Sequence, residues 1–386
     1  MIQLPPLAIN GKFLAAAPTG VHRVAAELAR ALAELATRRP GALDIELWVP
    51  RDAQEAAATI GLPVRVIGPF THIPWEQLAI PFRDRKRLLL NLCNIGPVAR
   101  TNAITMIHDA QVYLTPQSYS RPFRLWYKAT QPLLGRLNRG LLTVSDYSRG
   151  EIARAGICPA ERIHVVHNGL DHMLRIVPDA SVIARLGLAG TPYVVALAST
   201  QSHKNIGLLA RAFADPLLHG IRLVLVGDAN ADAFAAQGIA LPPSVQLAGR
   251  VTDRELRALY EQALCLAFPS RTEGFGLPPL EAMLVGCPAI AAPCGALPEV
   301  CGDGALFADP DSPTDWARII RRLADNPALQ AEWAERGKAQ AAQFTWLSSA
   351  ERLLAAIASL AAISPKIHRT ATASSISAGT PSSVQE

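Results

Sequence analysis

The chain has 386 residues, half of them hydrophobic, with a formal net charge of +5. That length exceeds what one core usually serves, so two domains are expected. No apolar run approaches the ~20 residues needed to cross a bilayer, and the opening Met1-Ile-Gln-Leu-Pro-Pro has neither a charged leader nor a cleavage pattern, which argues against export.

The charge divides unevenly. Residues 1–170 carry 20 Lys+Arg against 12 Asp+Glu, a net of +8, and the remainder is −3. The excess concentrates in Arg83-Asp-Arg-Lys-Arg87 and in Arg121, Arg124, Lys128, Arg136 and Arg139, interleaved with Phe123, Trp126 and Tyr127. This pattern fits an anionic lipid surface or a diphosphate-bearing acceptor, with a solvated charged face as the plain alternative. No nucleic-acid-binding module is present. Cys93, Cys158, Cys265, Cys287, Cys294 and Cys301 form no C-x-x-C pair, which suits reduced core thiols in a cytoplasmic protein.

Taken in chain order, Thr19-Gly20-Val21 precedes an amphipathic helix over Val21–Thr37, with Val24, Ala25, Leu28, Ala31, Leu32 and Leu35 at helical spacing. Its backbone amides are placed to approach a phosphate or an acceptor. Strands are expected at Asp44–Val49, Leu88–Leu92, Ala103–Ile107, Leu141–Val144 and Ile163–Val166. His108-Asp109 follows the third of these, where side chains project into a cleft. After a break near 172–190, strands are expected at Tyr193–Ala198, Arg222–Val226, Val245–Leu247, Leu264–Phe268 and Pro288–Ala292. Helices intervene at Ile206–Ala214, Asp253–Ala263 and Asp315–Ala324, with a capping box at Thr252 and Glu255 and a helix start at Ser312-Pro313. Two successive βα arrays imply two doubly wound, Rossmann-like domains with ligands at the carboxyl ends of the strands. Residues 365–386, rich in Ser, Thr and Ala, read as a disordered tail.

The most informative segment is Phe268-Pro-Ser-Arg-Thr-Glu-Gly-Phe-Gly-Leu-Pro-Pro-Leu-Glu-Ala282, which reads as strand, glycine loop and helix N-terminus, an anion-attracting arrangement. Glu273 falls in the loop. Glu281, with seven residues between the two acids, is expected in the first turn of the helix, able to accept hydrogen bonds from a diol. Lys204 follows the first strand of the second array and can neutralise a diphosphate. Asp309-Pro-Asp311 mimics a metal motif, but turn and capping chemistry explains it better, and no metal site is assigned. Dinucleotide, Walker A and nucleophile-elbow motifs are absent, which removes the oxidoreductase, NTPase and hydrolase readings.

The Glu273/Glu281 spacing resembles the E-x7-E motif of retaining GT-B glycosyltransferases of family four. Other blocks recur in that family's order: Thr19-Gly-Val-His-Arg23, Ile107-His-Asp109, Val144-Ser-Asp-Tyr-Ser148, Asn168-Gly-Leu-Asp171, His203-Lys-Asn205, Leu225-Val-Gly-Asp228 and Gly286-Cys-Pro288. The resemblance implies an α/β GT-B fold, two Rossmann-like domains facing across a cleft. Residues 1–175 would form the acceptor domain and 176–345 the nucleotide-sugar donor domain, with a helix over 346–364 returning to the first.

It also implies roles. Glu281 would hold the nucleotide ribose. Glu273 with Gly274, Phe275, Gly276 and Leu277 would hold the donor sugar, Lys204 would stabilise the departing diphosphate, and His108 would touch the donor sugar. The arginine that relatives place before the lysine is absent; Ala198 and His203 occupy those positions, so the second cation is missing or supplied by His203, with Ser199 and Thr200 as hydrogen-bond donors. Trp75-Glu-Gln77 and the Lys204-Asn205 block resemble bacterial polysaccharide mannosyltransferases. The expected activity is hexose transfer, best matched by α-mannose from GDP-mannose, to a lipid-linked or growing saccharide, without a cofactor, at the inner membrane face. The alternatives are a UDP-glucose or UDP-galactose transferase, a nucleotide-sugar 2-epimerase and a non-catalytic partner subunit.

Overall fold

The computed structural model describes residues 4–16 and 19–362; the expected tail over 365–386 lies outside them. Near-continuous apolar tetrapeptides such as Leu88–Asn91 and Cys265–Phe268 are buried along their whole length, as strands covered on both faces must be. They assemble into two wholly parallel sheets.

The first sheet comprises β1 (Leu7–Asn10), β2 (Ile45–Val49), β3 (Val64–Val66), β4 (Leu88–Asn91), β5 (Ala103–Met106), β6 (Gly140–Thr143) and β7 (Ile163–Val165), in the order β3-β2-β1-β4-β5-β6-β7. The second comprises β8 (Tyr193–Leu197), β9 (Arg222–Val226), β10 (Val245–Gly249), β11 (Cys265–Phe268), β12 (Ala289–Ala291) and β13 (Leu306–Phe307), in the order β10-β9-β8-β11-β12-β13. In each sheet the order reverses beside the first strand of that half, β1 or β8. There the flanking loops diverge and open a crevice at the strands' carboxyl ends.

The longer helices are α1 (Gly20–Arg38), α2 (Arg121–Leu137), α3 (Asp146–Arg154), α4 (Ile206–Ala212), α5 (Asp253–Gln262), α6 (Leu277–Leu284), α7 (Pro313–Asp325), α8 (Pro327–Ala341) and α9 (Trp346–Ala362). The capping box at α5 is formed by both of its hydrogen bonds, and Ser312 caps α7. Strands β1, β3 and β13 have no counterpart in the sequence pattern. β1 is a four-residue strand directly after a Pro-Pro pair, β3 is exposed at the sheet edge, and β13 is two residues long. Helix α2 has none either, because its charged and aromatic residues read as a surface patch. None of the described helices is long and apolar enough to cross a membrane.

The two chain connections between the halves meet at one crossing. Helix α9 packs along α1, with Leu353, Ile357 and Leu360 in the same core as Leu28, Leu32 and Leu35. To reach α1 the chain passes directly over the connection that leaves β7. The Leu170 N–H donates to Phe344 O at 3.0 Å, and the Trp346 N–H donates to Asp171 Oδ1 at 2.7 Å. A methyl group on Gly169 would lie 2.2 Å from the Trp346 backbone nitrogen, so only glycine lets the two chains cross. Arg257 of α5 straps the following segment through the carbonyls of Met173, Leu174 and Ile176.

Gly169→Ala is therefore expected to destabilise the protein by about 1–3 kcal/mol, the usual cost of overpacking a site that cannot relax. Thermal unfolding is the check; an unchanged transition would show that the crossing has more room than its backbone contacts indicate.

Candidate active site

The site is built from loops that leave the carboxyl ends of both sheets. From the second half, the turn Ser202–Lys204 delivers Lys204, and Asn205 follows it in the left-handed region at φ 56°. The Asn205 amide donates to Pro269 O and Pro310 O, anchoring this turn to the loop after β11. Lys204 Nζ then donates to Glu273 Oε1 at 2.7 Å, both side chains being mostly buried. The two residues assigned to the leaving group and the donor sugar are thus brought into contact, though 69 positions apart in the chain.

Glu281 differs from expectation. Gly276 adopts φ 97°, which suits glycine and stops the helix from starting earlier. Helix α6 therefore begins at Leu277, with Pro278 and Pro279 inside its first turn, and Glu281 falls in the second turn, buried. It is not an exposed charge at the helix N-terminus. Its Oε1 lies 3.2 Å from His172 Nε2, and its charge also acts on Arg23. Phe275 is buried against Phe344 and His167.

The first half supplies the facing wall. Gly274 O accepts hydrogen bonds from Ser145 Oγ at 2.6 Å and Ser148 Oγ at 3.0 Å, while the Gln111 amide donates to Thr272 O at 3.0 Å. Thr19 caps α1 through the His22 N–H, leaving Gly20 exposed at the helix start. Four residues on from the cap, Arg23 Nη2 reaches both carboxylate oxygens of Asp253, at 2.7 and 2.9 Å.

His108 is buried, with Nε2 2.8 Å from Leu92 O. A carbonyl only accepts, so Nε2 carries the proton and Nδ1 is left as an acceptor. Burial pushes the ring down to about 4, with the nearby His22 acting in the same direction and the bond to Leu92 opposing. Asp109, which the sequence places at the cleft without a role of its own, sits close enough to Glu273 and Lys204 to feel both charges. Withdrawal from water raises its carboxyl above the ordinary range, Glu273 adds to the rise, and the Gln111 N–H and Lys204 oppose it.

His203, where the second cation is either missing or supplied by this ring, is buried. Burial first, and then the adjacent Lys204, push it down to about 4 against the pull of Glu273. That direction favours the uncharged ring when no anion is bound, leaving Lys204 as the cation that faces Glu273. Ser199 Oγ is used within its own turn, accepting from the Gln201 N–H at 3.3 Å. Asp309 Oδ1 accepts from the Asp311 N–H, and Asp311 ion-pairs with Arg271, so both serve turn and surface pairing. No group of three or more potential metal ligands occurs among the described residues. A cavity of about 500 Å³ between α1, Asp171 and Trp346 lies at the crossing rather than at the Lys204–Glu273 pair.

The residues that match the family model for glycosyl transferases group 1 are 183–340. O-antigen chain mannosyltransferase B of Escherichia coli is 33% identical over 256 residues, covering 63% of this chain and 67% of that protein. The chain belongs to the group 1 glycosyltransferases. O-antigen chain mannosyltransferase RfbU of Salmonella typhimurium is 26% identical over 261 residues, covering 66% and 69%. Among solved structures, Anabaena Alr3699/HepE in complex with UDP and glucose superposes with a TM-score of 0.68 at 20% identity, covering 92% of this chain and all of that one. The chain is thus a retaining glycosyltransferase of the GT-B fold, and the epimerase and non-catalytic alternatives fall away.

A contact that sequence reasoning did not foresee closes the cleft of this group 1 glycosyltransferase. Glu299, in the helix Leu297–Cys301 of the second half, accepts from the Asp146 and Tyr147 N–H groups at the start of α3, at 2.8 and 3.0 Å. His167 Nε2 lies 3.2 Å from the same carboxylate. A carboxylate at a helix N-terminus is stabilised by the free N–H groups and the helix dipole. Burial works to raise the Glu299 carboxyl, but the bonds from His167, Asp146 and Tyr147 outweigh it and hold it below the ordinary value of 4.5. A depressed value means that the latch is fully engaged above 4.5 and is lost as pH falls through the depressed value. Small-angle scattering should show the wild type expanding under acid conditions. Glu299→Gln should already be expanded at neutral pH and respond little to pH; a variant that matches the wild type throughout would exclude the latch.

Proposed function

We propose that this glycosyltransferase moves a hexose, α-mannose from GDP-mannose, to a lipid-linked or growing saccharide in surface polysaccharide assembly. The observation that carries the site assignment is the Lys204–Glu273 pair, held in the cleft beside the His108-Asp109 loop. Breaking the bond between sugar and diphosphate builds negative charge on the leaving oxygen. Lys204 answers that charge when the donor's diphosphate draws it away from Glu273. Glu273 accepts from the donor sugar's hydroxyls, the backbone N–H groups of Phe275 and Gly276 donate to them, and together they orient the sugar. His108 offers Nδ1 as an acceptor to the same sugar and does not act as a charged acid. Glu281 receives the ribose diol, while Ser199, His203 and the Thr19-Gly20-Val21 helix start line the phosphate path. Leaving-group assistance on the face of attack, with no protein nucleophile, is the reading that these roles support.

The mannose choice draws on the O-antigen mannosyltransferases among the relatives. A UDP-hexose is the rival, and a panel of nucleotide sugars scored by thermal stabilisation separates the two. With the true donor, Glu281→Gln should chiefly raise KM, since a hydrogen bond to a charged acceptor is worth roughly 1.5–3 kcal/mol. Glu273→Gln should chiefly lower kcat. Transfer should persist in excess chelator. Wild-type kinetics in both variants would reject the assignment, and loss of activity in EDTA reversed by Mg2+ or Mn2+ would reject the charge role given to Lys204.

The acceptor side is supported by a pocket of about 220 Å³ in the first half, lined by Asn10, Lys12, His72, Ile73, Glu76 and Tyr127 among others. Outside it, Phe70, Leu78 and Phe82 are exposed, and Arg85 stacks over the Phe82 ring at 5.4 Å. Apolar tips beside Arg83, Arg85 and Lys86 favour an anionic membrane surface carrying the acceptor lipid. Arg87 does not belong to this patch, because it is largely buried and paired with Asp44 and Glu46. Wild-type protein should sediment with anionic vesicles at low salt and be released at high salt. Charge reversal at Arg85 and Lys86 should weaken that binding without affecting transfer to a soluble acceptor analogue. Equal partition onto neutral and anionic vesicles would remove the membrane role.

A further inference from the structure

The connection between the two halves carries a buried histidine that faces Glu281, and the role proposed for it rests on Glu281 holding the donor ribose. His172 begins the short helix His172–Arg175, and its side chain is 5% exposed. On one side Trp346 Nε1 donates to His172 Nδ1 at 3.1 Å. An indole N–H can only donate, so Nδ1 is unprotonated and the ring's proton sits on Nε2. On the other side Nε2 lies 3.2 Å from Glu281 Oε1, whose side chain is 10% exposed. Despite that distance Nε2 makes no hydrogen bond, and it meets the carboxylate as a close polar contact.

Trp346 is itself immobilised. It is buried as the first residue of α9, its backbone N–H is held by Asp171, and its backbone lies on Gly169. A rigid chain of contacts therefore runs from the interdomain crossing through Trp346 and His172 to Glu281. Were His172 only filling core space, an aliphatic side chain would do so without burying a polar edge that needs an answer. We propose that His172 is the positioning residue for Glu281: it holds Oε1 so that the carboxylate presents one fixed face to the ribose diol. Trp346, by selecting the histidine tautomer, sets that arrangement. Donor recognition in the second domain is thereby tied to the seating of the crossover helix on the first.

The test is a comparison of ligands rather than of activity. Calorimetry measures binding of GDP and UDP and of their 2′,3′-dideoxy counterparts to the full chain. The wild type should prefer the ribose form of its nucleotide by roughly tenfold or more, the scale of one hydrogen bond to a charged group. His172→Leu should bring that preference towards unity while binding of the dideoxy nucleotide stays near wild type. His172→Gln keeps a donor towards Glu281 and an acceptor for Trp346, and should retain most of the preference. Trp346→Phe, which keeps an aromatic ring but removes the N–H, should reduce it and serves if the leucine variant does not fold. Equal weakening of both nucleotide forms by His172→Leu or Trp346→Phe would overturn the proposal and leave the histidine as packing. Glu281→Gln separates the two levels. If it leaves the ribose preference intact, the ribose role of Glu281 fails; if it abolishes the preference and the His172 and Trp346 variants do not, the positioning role alone fails.

Discussion

A charge taken out of water has to be answered, and in the cleft of this protein the answer comes from a distant part of the chain. Lys204 answers Glu273 across two loops of one sheet. The α3 amides answer Glu299 between the two halves. His172 faces Glu281 from the connection between the sheets. Removing one partner of such a pair costs more than the pair itself contributes, because the remaining charge is left buried and alone. The cleft face is therefore held by a few specific polar contacts, and behind them one apolar core runs through both halves.

The same contacts bear on turnover. A donor must enter between surfaces that already hydrogen-bond to one another, with Gly274 O on Ser145 and Ser148, and Gln111 on Thr272. These neutral bonds are individually worth about 0.5–1.5 kcal/mol net, so they can be exchanged for contacts to substrate at little cost. The Glu299 latch adds a charged contact whose strength depends on pH. The crossing of α9 over Gly169 does not open in the same way, because it is backbone against backbone. Motion between the halves is thus constrained to bend near a fixed point, which is also where His172 sits.

The first half shows how a single run of charges divides by role. Arg87 is turned inward to Asp44, Glu46 and Asp84 and braces the edge of the sheet. Arg100 is buried and donates to the carbonyls of Arg83, Asp84 and Arg87, folding that basic segment against the domain. Arg83, Arg85 and Lys86 remain exposed, next to Phe82. Trp75-Glu-Gln77 is likewise architectural. Trp75 is fully buried with its indole on Ile67 O, and Gln77 bonds to Gly96 O and the Val98 N–H.

Much of this is legible in the residues themselves. Apolar runs bounded by turn residues locate ten of the strands, because a strand buried on both faces needs unbroken hydrophobicity. The capping box and the Ser312 start are local chemistry, readable within a single turn. The spacing of Glu273 and Glu281, with the ordered family blocks, is enough to recognise a retaining GT-B transferase. The short strands β1, β3 and β13 are not legible, since pairing in a sheet stabilises them and their own pattern does not. Nor can the sequence place Glu281 in the second turn, which depends on the left-handed Gly276, or tell that burial pushes the His203 ring down. Asp109, His172 and Glu299 have no signal beyond their positions near family blocks. Sequence determined the fold class and which residue types carry the chemistry, because periodicity and local spacing are properties of the chain. Tertiary structure decided which charges meet, because partners such as Glu299 and Asp146 lie 153 residues apart and only folding brings them within reach.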